Sequence, residues 1–448
     1  MRTINYINNH LQSITTIMGM FLFVFVFTTL ESFFYKSFIE VGLLILISMV
    51  VLFLGRVLIN SYYITINVID VMWIMFLVTL VINVLLNNLI NVITIYDIFV
   101  YTAGVSFLIL AKIDINYYKS TFKLIAVLSI FYAAGAMLQY FFADAYFNYI
   151  FQLFPDGYQR NILAQYLNGS YSGFTYQVAY TAGYIVSGLG VVILLYWKNR
   201  SISRPFLTLV IVLLIFGLLL TTKRAHLIFF ILALTTTLVL SMKNKFLLRK
   251  IMKIISFIFS VIVGLIIIFN ADILKSNEIL SNSIEEIIRT FSGIIQGEDI
   301  SSGRFVLYNY AWSLFQDNSF FGIGWKEFIE NSKGLINPDR GSHPHNIYLQ
   351  LMVELGFFGF LLFVLPLITV FFITFYMLRK VMNNKEKIEN GVLWESGIQI
   401  SLFYQTFFIL YGFTGNLITD YSFLLTYFFM SSISLSAWGK MNISNNYV

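Results

Sequence analysis

Twelve times along its length the chain runs through a stretch of mostly apolar residues, centred near residues 23, 48, 76, 102, 131, 185, 212, 233, 260, 362, 406 and 428. A helix needs about 20 such residues to cross the hydrocarbon of a bilayer, and inside it every backbone polar group must be paired within the protein. The pattern predicts an all-α polytopic membrane protein with about 12 transmembrane helices. Composition excludes a soluble globule independently: only 11% of the residues are charged, against about 25% in globular domains. The first run has no small-residue cleavage site and is followed by bulky aromatics, so it reads as the first span and not as a removable signal. With no cysteine in the chain, disulfides, thiolate metal sites and a cysteine nucleophile are excluded.

Orientation follows from the basic residues. With a cytoplasmic N-terminus, that side collects eighteen of the 28 Lys and Arg residues, among them Lys112, Lys198, Lys243, Arg379, Lys385 and Lys440. The positive-inside rule then puts both termini in the cytoplasm and the two larger loops outside. The expected organisation is helices 1–9 over residues 1–270, a large structured external loop over 271–345, and helices 10–12 over 346–448. Lys223 and Arg224, in "LLLTTKRAHLIFF", break the rule, because they fall in a short external turn. Either they snorkel at the membrane boundary, or cations are retained there because an anionic ligand meets them.

The long loop carries helical patterns of its own. "SIEEIIRTFSGII" (283–295) gathers its isoleucines and Phe291 on one helical face, suited to lying on a membrane surface. "SSGRFVLYNYAWSLF" predicts a helix capped by Ser301 or Ser302, with Phe305, Tyr308, Trp312 and Phe315 on one face and Arg304 in the first turn. A cation at a helix N-terminus is mildly unfavourable. Either Arg304 pairs with Glu298 or Asp299, or it shares an anion with the helix end. "FFGIGWKEF" (320–328) has GxG spacing without the rest of a nucleotide motif, and reads as a tight turn.

Two of the four histidines stand together in "SHPHNIYLQ" (342–350), where a span begins. Two His without a third ligand at metal spacing make a weak zinc signal. A structural histidine at the water interface is one reading of His345. The other is a general base of suitable pKa, oriented by Asn346 and by the helix that follows. Glu354, nine residues on, faces away from His345 in a regular helix. No metal and no cofactor are expected.

His345-Asn346, nine further residues and then Gly356-Phe357-Phe358-Gly359 resemble the histidine signature H[NSQ]-x9-G-xx-[GTY] of the O-antigen polymerase and O-antigen ligase superfamily. Ser302-Gly303-Arg304 with Trp312, followed by "GIGWKEF", is similar to the loop ahead of that histidine, and "TTKRAH" is similar to the Arg-bearing turn upstream. "SGFTYQVAY" (172–180) is faintly similar to a further Gly-containing motif. It lacks the Arg that often precedes the Gly, and Arg160 is the one candidate to replace it. The resemblance spans roughly residues 160–420. It implies a metal-independent, inverting glycosyltransferase of GT-C type, acting at the outer face of the bacterial cytoplasmic (inner) membrane on oligosaccharides carried by undecaprenyl pyrophosphate, as both donor and acceptor. In that reading His345 is the catalytic base, and Arg224, Arg304 and Lys223 hold the pyrophosphate. Arg160, His343, Asn346, Tyr348 and Trp312 are candidates for substrate binding or support.

The resemblance favours a polymerase of O-antigen or capsular repeat units, with membrane lipids and a chain-length-regulating co-polymerase as further partners and no nucleic acid. The alternatives are a ligase that transfers glycan to lipid A core and, from another class, a lipid-linked oligosaccharide flippase. An ion-coupled transporter built on Asp70, Asp97 and Glu354 would need an inverted repeat, which the chain does not display.

Overall fold

The computed structural model describes residues 66–87, 89–110, 115–197, 203–242, 303–336, 341–418 and 420–443. The spans expected near residues 23, 48 and 260, and the amphipathic helix expected over 283–295, lie outside the described residues. Each of the other nine expected spans coincides with a helix. In chain order these are α1 (Val68–Leu86), α2 (Val92–Leu110), α3 (Ile115–Phe141), α5 (Val178–Val191), α6 (Arg204–Leu220), α7 (Arg224–Leu240), α10 (Ile347–Asn383), α11 (Gly391–Tyr411) and α12 (Tyr421–Ile443). Between α3 and α5 lies α4 (Asp156–Leu167), and the segment before α10 carries α8 (Arg304–Asp317) and α9 (Glu327–Asn331). Four stretches, Val68–Leu86, Thr121–Phe141, Val178–Tyr196 and Ile347–Asn383, are long and apolar enough to cross a membrane. The protein is thus an all-α polytopic membrane protein with large loops.

α11 is the hub of the bundle. It packs against α7, α10 and α12, while α3 packs on α5 and α6, and α1 on α10. Between helices that share an apolar surround, hydrophobic burial gives little preference for one face, and small polar residues supply it. Ser401 of α11 donates to the Met430 carbonyl at 2.6 Å, and Gln405 donates to Thr374 of α10 and to Ser401, both at 2.9 Å.

The loops gather at the two ends of the bundle. At one end the segments after α1, before α5, between α6 and α7, before α10 and before α12 bond to one another: Trp325 to Asn83, Tyr171 to Leu220, Tyr180 to Asp420, Ile347 to Gly412. At the other end Arg379 donates to the Met242 carbonyl and Lys385 pairs with Glu395. The first end, with the long loop, carries the candidate site.

Two expectations need correction. The helix after "SSG" is capped by Gly303, in the left-handed conformation at φ 82°, and not by Ser301 or Ser302. Its buried residues are Leu307 and Ala311, so the face of Phe305 and Trp312 is the exposed one, at 55% and 47%. The span near residue 362 is also not one regular helix, because Gly356 interrupts α10 at φ 69°, ψ −174°.

Candidate functional site

The interruption explains the spacing of the histidine signature. Asn346 is the N-cap of α10, its Oδ1 accepting from the N–H groups of Tyr348 and Leu349 at 3.0 and 3.1 Å, the role in which Asn is most favoured. A helical piece over 347–355 follows and stops at Gly356. The nine residues between Asn346 and Gly356 are therefore one short capped helix, and the final glycine is its break. The amide oxygen of Asn346 is committed to the cap.

The break is filled by backbone. Carbonyls freed at Val353 and Glu354 accept from Ile323 N and Gly324 N at 2.8 and 3.1 Å, and Phe357 N donates to the Ser319 carbonyl at 2.8 Å. The inserted turn is the GxG stretch, with Gly322 at φ 71° and Gly324 at φ 115°. A Cβ on Gly322 would stand 2.6 Å from Gly356 N, and one on Gly356 2.6 Å from Phe321 N. Only two glycines let these backbones meet. Asn83 of α1 clamps the contact, donating to the Phe321 and Glu354 carbonyls and accepting from Trp325 N.

His345 precedes this helix in a left-handed conformation, φ 51°. For a non-glycine residue that costs about 1–2 kcal/mol, and such strain concentrates at functional sites. Lys326 at φ 67° and Thr222 at φ 54° share the conformation on the same end of the bundle. The Thr222 hydroxyl bonds that of Ser170, which ties the "TTKR" turn to the loop before α5.

Among the described residues, Arg304 and Lys223 place positive charge near His345. Burial first, then Arg304, His343 and Lys223, push its pKa down from 6.5 to about 4. His343 is likewise lowered to about 4, by burial and then by Lys326. Both imidazoles are therefore neutral at pH 7. Arg304 opens α8, donates to the Thr414 carbonyl at 3.3 Å and reaches Tyr308. The Tyr308 hydroxyl lies 3.5 Å from the His345 carbonyl, and its pKa is raised by burial against the opposing pull of Arg304.

The remaining sequence candidates are placed as follows. Lys223 is the N-cap of α7 and Arg224 its first residue, both half-buried. Tyr348 packs on Phe413 and donates to the Ile409 carbonyl at 2.7 Å. Trp312 packs on Phe315. Arg160 is exposed on α4, and among the described residues no hydrogen bond or ion pair joins it to Arg304 or His345. Gly173 of "SGFTYQVAY" donates its N–H to Gln139 Oε1 and accepts from the Tyr146 hydroxyl at its carbonyl, both at 2.7 Å, so that motif secures a loop at the end of α3.

Residues not assigned to this site from sequence also meet here. Tyr180 donates to Asp420 at 3.0 Å. His226 is buried against Tyr411, centroids 4.3 Å apart. Lys326 forms an ion pair with Asp97 at 2.6 Å. Tyr308 alone had a local signal, one helical turn after Arg304. Among the described residues no group of three or more His, Asp or Glu is arranged to hold a metal ion.

The chain is thus a helical membrane protein with a strained, neutral histidine near Arg304 and Lys223 at one end of its bundle. Residues 209–364, from within α6 to the far side of the Gly356 break, match the family described as O-antigen ligase. The match covers about a third of the chain, and over that segment the chain is similar to this family. No curated protein matches the chain.

Proposed function

We propose that the protein is a polymerase that joins undecaprenyl-pyrophosphate-linked oligosaccharide repeat units at the outer face of the bacterial cytoplasmic membrane, within a GT-C-like arrangement of about 12 spans and with both termini cytoplasmic. The observation that carries this reading is a neutral, left-handed His345 at the start of the signature helix, with Arg304 and Lys223 near it.

In the reaction a ring nitrogen of His345 accepts the proton of an acceptor sugar hydroxyl. The oxygen attacks the anomeric carbon from the face opposite the pyrophosphate, the C–O bond to pyrophosphate breaks, and configuration inverts. Arg304, Arg224 and Lys223 meet the charge that grows on the leaving group, bidentate Arg being suited to phosphate oxygens. The same anion offsets the cations that depress His345, so donor binding raises the basicity of the imidazole. Base and donor are thereby coupled: the histidine becomes a good proton acceptor when a pyrophosphate is present.

A ligase is the second reading, favoured by the description of the matched family. It differs only in the acceptor. Purified protein supplied with a lipid-linked repeat unit as donor, and with either a second repeat unit or lipid A core as acceptor, separates the two. His345→Ala and Arg304→Ala are expected to insert normally and to abolish extension. Full activity of either variant refutes the assignment of that residue, and movement of labelled lipid-linked units across liposomes without joining replaces the enzyme by a flippase.

A further inference from the structure

Lys326 and Asp97 lie outside the reaction as proposed, yet they are among the most constrained residues at this end of the bundle. Asp97, on α2, is buried, its side chain 1% exposed. It accepts from the Trp325 indole at 2.7 Å, pairs with Lys326 at 2.6 Å and accepts from the Tyr421 hydroxyl. Lys326 also reaches Tyr421 at 3.4 Å. A buried carboxylate with three donors is satisfied, and removal of one partner would leave an uncompensated charge.

The pair leads structurally to the histidines. Lys326 is the N-cap of α9, in the left-handed conformation that turns the chain out of the GxG stretch. α9 ends at Ser332, whose hydroxyl donates to the Ser342 carbonyl and accepts from the Ser342 N–H, each at 2.9 Å. Gly341 lies so close to Ile329 of α9 that a Cβ there would stand 2.9 Å from the Ile329 side chain. Ser342 is followed directly by His343, Pro344 and His345.

We propose that Asp97 and Lys326 are positioning residues for the candidate site: a carboxylate on α2, outside the family-matched segment, fixes Lys326, and through α9 and the Ser332–Ser342 bonds this sets the His343–His345 segment. The inference rests on the glycosyl-transfer reading for its kinetic test, but its geometry does not depend on the identity of the substrate.

The absence of cysteine from the chain supplies a readout free of turnover. Ser342→Cys places a single thiol beside the histidines, to be labelled with a small water-soluble maleimide. In the Lys326→Met and Ser332→Ala backgrounds we expect labelling several-fold faster than with Ser342→Cys alone. Loss of a nearby cation would by itself reduce the thiolate fraction and slow labelling, so acceleration in Lys326→Met reads loosening. In chain extension, Asp97→Asn, Lys326→Met and Ser332→Ala should each lower kcat by about 10- to 100-fold, as expected for a misplaced catalytic group, with the donor KM little changed. The double variant Asp97→Asn/Lys326→Met should lose no more than the worse single one, and Lys326→Arg should recover much of the loss. Unchanged labelling with unchanged kcat overturns the proposal, as does a raised donor KM at constant kcat and constant labelling, which would make Lys326 a substrate ligand. If the unaltered protein extends no chains, the glycosyl-transfer reading fails, and the labelling rates still decide the positioning role.

Discussion

Gly356→Ala is the sharpest test of the break in α10. At φ 69°, ψ −174° the backbone lies in a region that glycine alone occupies freely, and holding alanine there costs about 1–3 kcal/mol. The added methyl would also meet the 320–321 backbone, 2.6 Å from Phe321 N, and overpacking of this kind costs about a further 1–3 kcal/mol. The obstacle is main chain, so no rotamer change relieves it, and the combined penalty is about 2–6 kcal/mol. Gly439→Ala is the matched control: it lies in α12 with nothing within 4 Å of a new Cβ, where alanine gains about 0.5–1 kcal/mol over glycine. Thermal unfolding in detergent should rank Gly356→Ala several degrees below the unaltered protein and Gly439→Ala level with it or slightly above. If Gly356→Ala melts within a degree of the unaltered protein, the backbone contact between the GxG turn and the break is refuted.

Three further outcomes are expected. Because His343 and His345 are held at about 4 while the unfolded chain protonates near 6.5, the unfolded state binds more protons between these values; stability should be full above pH 6.5 and fall as pH drops toward 4. Melting at pH 7 and pH 5 checks this, and in the kcat/KM profile the acid limb should lie well below 6.5 and move upward in Lys223→Met. Asn346→Ala removes the cap of the signature helix and should cost about 1 kcal/mol, with Asn346→Ser nearly neutral, both read by thermal unfolding. Trp312→Ala, on the exposed face of α8, should leave kcat and donor KM near their starting values, whereas a tenfold loss would place the indole at the substrate.

The helices were legible because their signal is local: uninterrupted apolar stretches, each matched by a helix wherever the structure describes the chain. The tight turn at Gly322 and Gly324 was legible for the same reason. The break at Gly356 was hidden because apolarity continues through it, from Leu355 to Phe357 and Phe358, and hydropathy does not report a dihedral angle. Asn346 was visible beside the histidine, but that its oxygen caps the helix was not. Asp97 and Lys326 could not be paired from sequence, since they stand on segments far apart in the chain and no motif links them. Gly303 displaced the expected serine cap because its positive φ already turns the chain into α8.

The break also acts as a depth gauge. At 1.5 Å per residue the stretch 357–383 is about 40 Å long, close to the full thickness of a bilayer with its headgroups. The piece over 347–355 adds about 13 Å, so an unbroken helix would carry its first residue beyond the headgroup layer. With the break, the upper piece is free to leave the axis of the lower one and to rest among the neighbouring loops. The position of His345 relative to the long lower helix is then set by main-chain geometry, so side-chain variation around it can reshape its surroundings without moving it along the bundle.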